Sequence, residues 1–432
     1  MRGIWSSLVG GRLPGVEAPV HRAVLDLGTY ETKALVVKSD GPESLIIGAG
    51  SAQRGPYSVS QFAQSLNLPA MVRSCDSALR QAEDMTQGCC ESQVVADWVV
   101  FCVPHHWTTA QSHTVTRRRG IQSSRVTERE LREVVRRAQR LALRQLGEIA
   151  GSRCADQGTK LELLESTVTA VQIDGRGVTS PIGLHGERLA VTVFNVVAPS
   201  AYLRAAESVI EGLGLEILKV TSCWQAVAAA ASEKRGICVD LGGTTTGVML
   251  VHGNRALATA SLPIGGRDFT TQLAATFDLS DADAERLKIA YSRGQLDAHS
   301  TSRVGEALEQ LLESWIGEVE KALVALCGSD GLPNQFSLCG GGSILPGVAE
   351  VLRSHPWARR LKCSQHPEVQ LIRPEEIRDV LDATGQIRGQ QYACPMAIAG
   401  HSAGMRGTTT GWDSLLWAVK RPKTFVDGGK RN

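Results

Sequence analysis

The stretch VLDLGTYETKALVV, residues 24–37, decides how the chain is read, because a second version follows at residues 237–251, ICVDLGGTTTGVMLV. Each copy opens with apolar strand residues and closes the strand on an acid, Asp26 or Asp240. A Gly- and Thr-rich turn then leads into another apolar run. A glycine turn between two strands lets backbone N–H groups come close to an anion, because no Cβ intervenes. Thr hydroxyls add donors for phosphate oxygens. A carboxylate at the strand end suits magnesium, held through water. One such turn is common in plain hairpins. Two copies, one in each of two facing α/β lobes, form a clamp that grips a nucleotide's phosphates from both sides, with a cation between Asp26 and Asp240. The expected phosphate contacts are Gly28, Thr29 and Tyr30 in the first turn, and Gly242, Gly243, Thr244, Thr245 and Thr246 in the second. A third piece, FSLCGGGSILPGV at 336–348, puts a strand, three glycines and a helix start in a row. There Gly340, Gly341, Gly342 and Ser343 are expected to form a flat backbone platform for adenine or ribose.

The bulk composition sets bounds around this. At 432 residues the chain is too long for one ordinary core, so two or three domains are expected. It is 43% hydrophobic and 21% charged, with a net charge of +2; a general nucleic-acid binder would be strongly basic, and no nucleic-acid partner is expected. The 11 cysteines are scattered, with no CxxC pair and no zinc spacing, which fits a reducing cytoplasm better than a disulfide framework. The apolar piece IWSSLVGG near the N-terminus is too broken for a signal h-region, and no run approaches the roughly 18 apolar residues of a spanning helix. A cytoplasmic chain with at most peripheral membrane contact is expected.

Along the chain, strand-like segments fall at 23–27, 34–38 and 44–48, and a helical pattern lies within 58–86. Trp98–Val103 reads as a strand, followed by a basic loop, TRRRG, at 116–120, which is read as solvated or as a polymer contact. Thr127 and Glu130 have capping-box spacing before a long helix. Strands are expected at 166–173 and 188–197. His105 and His106 in VPHHW are read as loop residues without metal-ligand spacing.

The order of the three glycine motifs resembles the actin-like ATPases, the superfamily of actin, sugar kinases and chaperone ATPases, and LPIGGRDFT at 262–270 is similar to the segment after their second hairpin. This implies an α/β fold of two lobes around a cleft for ATP and Mg2+, with Lys33 placed as a phosphate-contacting lysine. Within the superfamily the chain resembles the bacterial cell-division family FtsA. The region 95–197 has a strand-helix-strand-strand order that actin lacks. Its tail carries Asp174, Gly175, Pro181, Ile182, Gly183, Gly186, Arg188 and Leu189 in an FtsA-like pattern. ADAERLKIAYSRG at 282–294 looks like the FtsA segment that places Glu285 and Lys288 by the ribose and adenine. GWDSLLWAVKRPK at 411–423 looks like the family's amphipathic tail: Trp412, Leu415, Leu416 and Val419 make one stripe, with Trp417 beside it and Lys420 and Arg421 at its end. The resulting division is a flexible arm at 1–20, a first lobe at 21–94, an inserted subdomain at 95–197, a return to the first lobe at 198–233, a second lobe at 234–400, a linker at 401–411 and a membrane-targeting segment at 412–432. By resemblance the chain would polymerise and tether FtsZ filaments to the cytoplasmic face of the inner membrane, with FtsZ, further copies of itself and lipid as partners. Tyr30 and Glu31 depart from the small or basic residues usual in the first loop. No carboxylate stands before the second hairpin to orient water, only Gln225 in TSCWQAVAAA, so slow or absent hydrolysis is expected. Two alternatives stay open. One is a PilM-like adaptor of type IV pilus assembly, and the other is a small-molecule kinase of the same superfamily, which would need a catalytic base that the sequence does not display.

Overall fold

A computed structural model describes residues 21–403 except 41–42, 55–66, 121–123, 154–159, 232–234, 254, 328–330 and 363–365. The segment 412–423 read as an amphipathic tail lies outside the described residues. No described helix is long and apolar enough to cross a membrane.

The chain begins with three antiparallel strands, β1 (His21–Leu27), β2 (Glu31–Asp40) and β3 (Glu43–Gln53). Helix α1 (Leu68–Met85) covers them, with Asn67 capping its first turn. Strand β4 (Trp98–Val103) joins β1 in parallel and β9 (Glu216–Ser222) joins β4, after helix α3 (Ser200–Gly212). These strands and the short β15 (Val380–Asp382) make a six-stranded sheet, β15-β3-β2-β1-β4-β9. Helix α4 (Trp224–Ala231) leads into β10 (Gly236–Leu241), β11 (Thr246–His252) and β12 (Arg255–Leu262), which repeat the β1–β3 arrangement. Helices α5 (Gly266–Phe277), α6 (Asp281–Ser292) and α7 (Ala298–Cys327) follow. Then come β13 (Gln335–Cys339), parallel to β10, helix α8 (Val348–Ser354) and β14 (Glu368–Leu371).

The repeat extends to register. Asp26 sits opposite Cys102 across the parallel β1–β4 pair, and Asp240 sits opposite Cys339 across β10–β13. Both acids therefore stand at the carboxyl ends of central strands, where open α/β sheets hold ligands.

The region read as inserted contains β5 (Thr109–Arg118), α2 (Glu128–Arg153), β6 (Leu161–Ile173), β7 (Arg176–Gly177) and β8 (Arg188–Pro199). The order strand-helix-strand-strand holds for these strands, but its first member is β5. Trp98–Val103 is instead a central strand of the six-stranded sheet. The expected basic loop at 116–120 is largely strand: β5 pairs with β8 from Thr109 to Arg118. Basic residues tolerate a strand there because Arg117 and, just past the strand end, Arg119 meet carboxylates of α2, Glu133 and Glu130. β5 also touches β12 through Ala258 and Gln111, so one nine-stranded sheet runs β14-β13-β10-β11-β12-β5-β8-β6-β7.

The subdomain has its own core. Val134, Val135 and Ala138 of α2 pack on Val171, Leu189, Val191 and Val193 of the sheet. The helix starts as expected, with the Glu130 N–H donating to the Thr127 hydroxyl at 3.2 Å. Glu130 sends its carboxylate to Arg119, so half of the capping box is built by backbone and half by a tertiary ion pair. Thr127→Ala should cost about 1 kcal/mol, read as a lower urea midpoint with an unchanged slope.

The division at residue 400 needs correction. β15 pairs in parallel with the edge strand β3, Val380 against Ser44, and α9 (Ala393–Ala403) lies on β1, β2 and β3, where Met396, Ala397, Ile398 and Ala399 join the first core. The open edge and the bare apolar face of the first sheet draw the end of the described chain back from the second lobe.

Candidate functional site

The two Asp-Gly-Thr turns and the triple glycine open on one cleft of about 370 Å³. Asp26, Gly28, Thr29, Tyr30, Lys33, Asp240, Gly242, Gly243, Glu285, Lys288, Gly340, Gly341 and Gly342 all line it. The antiparallel register of β1 and β2 sets Lys33 directly across from Asp26. Lys33 is nearly buried and pairs at 3.6 Å with Glu31, two residues away on the same strand face. Arg54 braces the turn, its Nη1 donating to the Gly28 carbonyl at 2.9 Å.

The two turns touch each other. The Thr244 N–H donates to the Thr29 hydroxyl at 2.9 Å. A Cβ built on Gly243 would come within 2.4 Å of the Tyr30 Cβ, so glycine is what lets the hairpins close. The second turn is locked from behind: the Gly266 N–H donates to the Gly242 carbonyl at 2.9 Å, and the Arg267 N–H to the Gly243 carbonyl at 2.7 Å. This brings the N-terminus of α5, the positive end of its dipole, to the cleft wall. On the far side Gly340 has φ +83°, and a Cβ there would collide with the Asp240 Oδ1 at 2.3 Å. Only glycine allows the platform to pass beneath that carboxylate.

Four expected contacts face elsewhere. The Thr244 side chain is buried behind the contact its amide makes with Thr29. The Thr245 hydroxyl meets His105 Nε2 at 3.3 Å. Thr246 begins β11, where strand alternation turns it into the core. Its hydroxyl donates to the Ile264 carbonyl at 2.6 Å and accepts from Trp315 Nε1 at 3.0 Å. The Ser343 hydroxyl closes its own turn on the Gly340 carbonyl at 2.7 Å. Gln225 points away: its side-chain carbonyl accepts from the Ala256 N–H at 3.4 Å, and Cys223, two residues earlier, lines the cleft instead. A helix start at Trp224 sets that register.

Glu285 and Lys288 reach the cleft as a braced pair. The Lys288 ammonium donates to the Gly266 carbonyl, the Thr270 hydroxyl and the Glu285 carboxylate at 2.8, 2.7 and 2.8 Å. All three of its protons are thereby committed, tying α5 to α6. Ile289, Ser292 and Arg293 line the same wall. With Glu285 and Lys288 they follow the i, i+3, i+4, i+7, i+8 stripe of one helix face, a signal the sequence reading could have extended. His105 is also a cleft residue rather than a plain loop residue. It is buried between Ser261, at 3.2 Å from Nδ1, and the Trp224 ring. Burial lowers its pKa and holds it neutral. No motif marked it, because its partners arrive from more than 100 residues away.

The charges in this floor are not balanced. Burial pushes the Asp26 carboxyl up to about 6, against the pull of Lys33. Burial likewise pushes Asp240 up to about 7. Two desolvated acids served by one lysine are a site that gains from an added dication. Asp26 and Asp240 fit magnesium held through water, and the turn amides and Lys33 fit phosphate.

The family model described as Cell division protein FtsA matches residues 237–397. FtsA of Neisseria meningitidis is 24% identical over 355 residues, covering 76% of this chain and 80% of its own. FtsA of Bacillus subtilis is 23% identical over 353 residues, covering 75% and 74%. FtsA of Pseudomonas aeruginosa is 26% identical over 275 residues, covering 62% and 60%. Among solved structures, the PilM-PilN type IV pilus biogenesis complex superposes with a TM-score of 0.60 at 18% identity, covering 90% of this chain and 99% of that one. That likeness bears on fold alone.

Proposed function

We propose, from the premise that this chain is FtsA-like and has the actin-like ATPase fold, that it holds ATP and magnesium in the cleft and acts in cell division as a membrane tether for FtsZ filaments. The observation that carries the nucleotide half is the convergence of both Asp-Gly-Thr turns and the triple glycine on one cleft, with Asp26, Lys33 and Asp240 at its floor. The triphosphate lies between the turns, which part as it enters because Thr29 and Thr244 now hold each other. Turn amides and Lys33 take the phosphate charge. Asp26 and Asp240 would hold magnesium through water, and the Gly340–Gly342 backbone and the α6 wall would take the base. The similarity to FtsA proteins supports the cell-division half, with FtsZ and further copies of the chain as partners and the segment 412–423 as the lipid contact on the cytoplasmic face.

Hydrolysis is slow on this reading. Ser222 and Cys223 precede α4 where a water-orienting carboxylate would serve, and Gln225 faces away from the cleft. The nearby Glu165 is committed to the Ser222 N–H at 2.9 Å. Turnover should not exceed that of an unassisted nucleotide hydrolase, about 10⁻³ s⁻¹ or below.

Calorimetry of the full chain with ATP tests the site. Binding in the micromolar range that weakens at least about tenfold with EDTA supports it. Lys33→Ala should weaken binding by about 100-fold, equivalent to roughly 2.7 kcal/mol of a charge-assisted phosphate contact. No heat of association in the parent would sink the nucleotide reading. A pull-down with the C-terminal peptide of the host's FtsZ, beside an N-terminal PilN peptide, decides the partner: retention of the FtsZ peptide alone supports the tether, and retention of the PilN peptide alone rejects it.

A further inference from the structure

Three cysteines meet at the floor of the cleft, and the nucleotide reading uses none of them. Cys102 ends β4 beside Asp26, Cys223 precedes α4, and Cys394 opens α9. One oxygen of Asp26 and the sulfurs of Cys102 and Cys394 all lie within 4.8 Å of one another. Cys223 lines the same cleft but lies outside that group of mutually close donors. All four side chains line the cleft; Asp26, Cys102 and Cys223 are buried and Cys394 is partly exposed, so a ligand would enter past Cys394. The cluster is assembled entirely by tertiary packing, which is why no CxxC spacing marks it.

Magnesium takes oxygen donors, while thiolates favour softer cations. Zinc bonds run about 2.3 Å to sulfur and 2.0–2.2 Å to oxygen, so tetrahedral donors stand roughly 3.5–3.8 Å apart. Contraction from 4.8 Å or less asks each donor to move by well under about 1 Å, a small side-chain rotation.

We propose that the cleft floor binds one thiophilic divalent cation, zinc, through Asp26, Cys102 and Cys394 with water in the fourth position, and that this cation and the magnesium nucleotide exclude each other by sharing Asp26. The exclusion rests on the nucleotide reading, whereas the zinc site does not. Each ligating thiol gives its proton to solvent as its sulfur bonds the metal, so zinc affinity weakens as the pH is lowered.

The test uses the reduced full chain carrying Cys89→Ser and Cys90→Ser, which removes the more accessible adjacent pair. Cobalt(II) is added as the probe and followed by absorption. The expected result is one equivalent with a thiolate-to-cobalt charge-transfer band, displaced by one equivalent of zinc. Cys394→Ser, at the most exposed of the three donors, should weaken cobalt binding by at least about tenfold with an unchanged far-UV dichroism spectrum. Cys102→Ser with Cys394→Ser should abolish the band. A cobalt spectrum without thiolate character, or a band that survives Cys394→Ser at full affinity, overturns the site. Calorimetry with ATP and magnesium is then run on the chelator-treated and the zinc-loaded protein. Weaker binding after zinc loading supports exclusion, and equal binding overturns it. Absence of ATP binding in both removes the nucleotide reading and the exclusion with it, while the cobalt result decides the metal site separately.

Discussion

Asp240→Asn should make the nucleotide-free protein more stable and, if the cleft holds ATP with magnesium as proposed, greatly weaken that binding. The carboxyl of Asp240 is raised from 3.8 to about 7, first by burial. Between about pH 4 and 7 the folded protein therefore keeps a proton that the unfolded chain has already released. Where the native state binds more protons, stability falls as pH rises. Asp26, raised to about 6, acts in the same direction. At pH 8 the parent bears the full cost of two ionised, poorly solvated acids. A shift of about 3 units corresponds to roughly 4 kcal/mol at 1.36 kcal/mol per unit. Asp240 is partly open to the cleft, so the realised gain from an uncharged isostere is nearer 1–3 kcal/mol. In a chain of this length that is a rise of a few degrees in melting temperature. The gain should shrink toward zero near pH 4, where the parent is protonated too. The same substitution removes half of the charge that holds the cation, and affinity for ATP with magnesium should fall at least about 100-fold. Melting curves from pH 4 to 8 and calorimetry on one preparation read both effects. An Asn variant less stable than the parent at pH 8 would show that Asp240 is a structural anchor and not an acid held in readiness for a cation.

That pairing of strain and function also explains what the sequence could disclose. The two turns and the triple glycine were legible because Gly-rich runs after a strand are a short-range pattern, although the contacts that require Gly243 and Gly340, with Tyr30 and Asp240, lie about 100 residues away or more. The acids were legible because a strand that ends on Asp before a Gly turn is a short-range pattern. Thr244, Thr245 and Thr246 were overcounted because a run of three identical donors cannot all face one way once β11 begins and its side chains alternate. Gln225 failed for a related reason, since the first turn of α4 decides which of Cys223 and Gln225 faces the cleft, and capping signals fix helix starts only to within a residue or two. His105, the Cys102–Cys223–Cys394 cluster and the return of β15 and α9 to the first sheet were illegible altogether. Each depends on contacts spanning more than 100 residues, which no local period encodes. The strand β5 was hidden by its charge: three arginines in a row look like solvent-facing loop until the partners of each are known.

Those arginines carry the remaining large prediction. Arg119 is almost wholly buried, with its side chain 4% exposed. Its guanidinium donates to the Glu130 carboxylate, the Ser124 carbonyl and hydroxyl, and the Gly186 carbonyl, at 2.8, 2.9, 2.9 and 2.9 Å. Its backbone N–H donates to the Glu187 carbonyl at 2.7 Å. One side chain thus pins the end of β5, the first turn of α2 and the turn before β8. Lysine cannot reproduce this, because a point charge with three protons cannot span a fork set by three elements. Arg119→Met keeps the length and removes the donors, leaving the little-exposed Glu130 carboxylate with only Arg117 at 3.8 Å and two carbonyls short of a partner. Breaking one side of a buried pair costs about 3–5 kcal/mol, and water reaching Glu130 brings this toward the lower end. The loss should be greatest in α2, because its face of the strands closes on a core of its own, whereas Ala110, Leu164, Phe194, Val196 and Ala198 on the same strands belong to the core of the first sheet. Hydrogen exchange should therefore show peptides of Glu128–Arg153 and Arg188–Pro199 opening about 100-fold more often. Peptides of β1, β10 and the Gly340 platform should keep their protection, and ATP affinity should be unchanged. Arg119→Lys should fall between the two. Uniform loss of protection across both lobes would mean that the subdomain is coupled to the cleft through β5 and β12, joined by the Ala258–Gln111 pair and the Thr259 hydroxyl on the Ala110 carbonyl at 3.1 Å, and through the strand residues it shares with the first core.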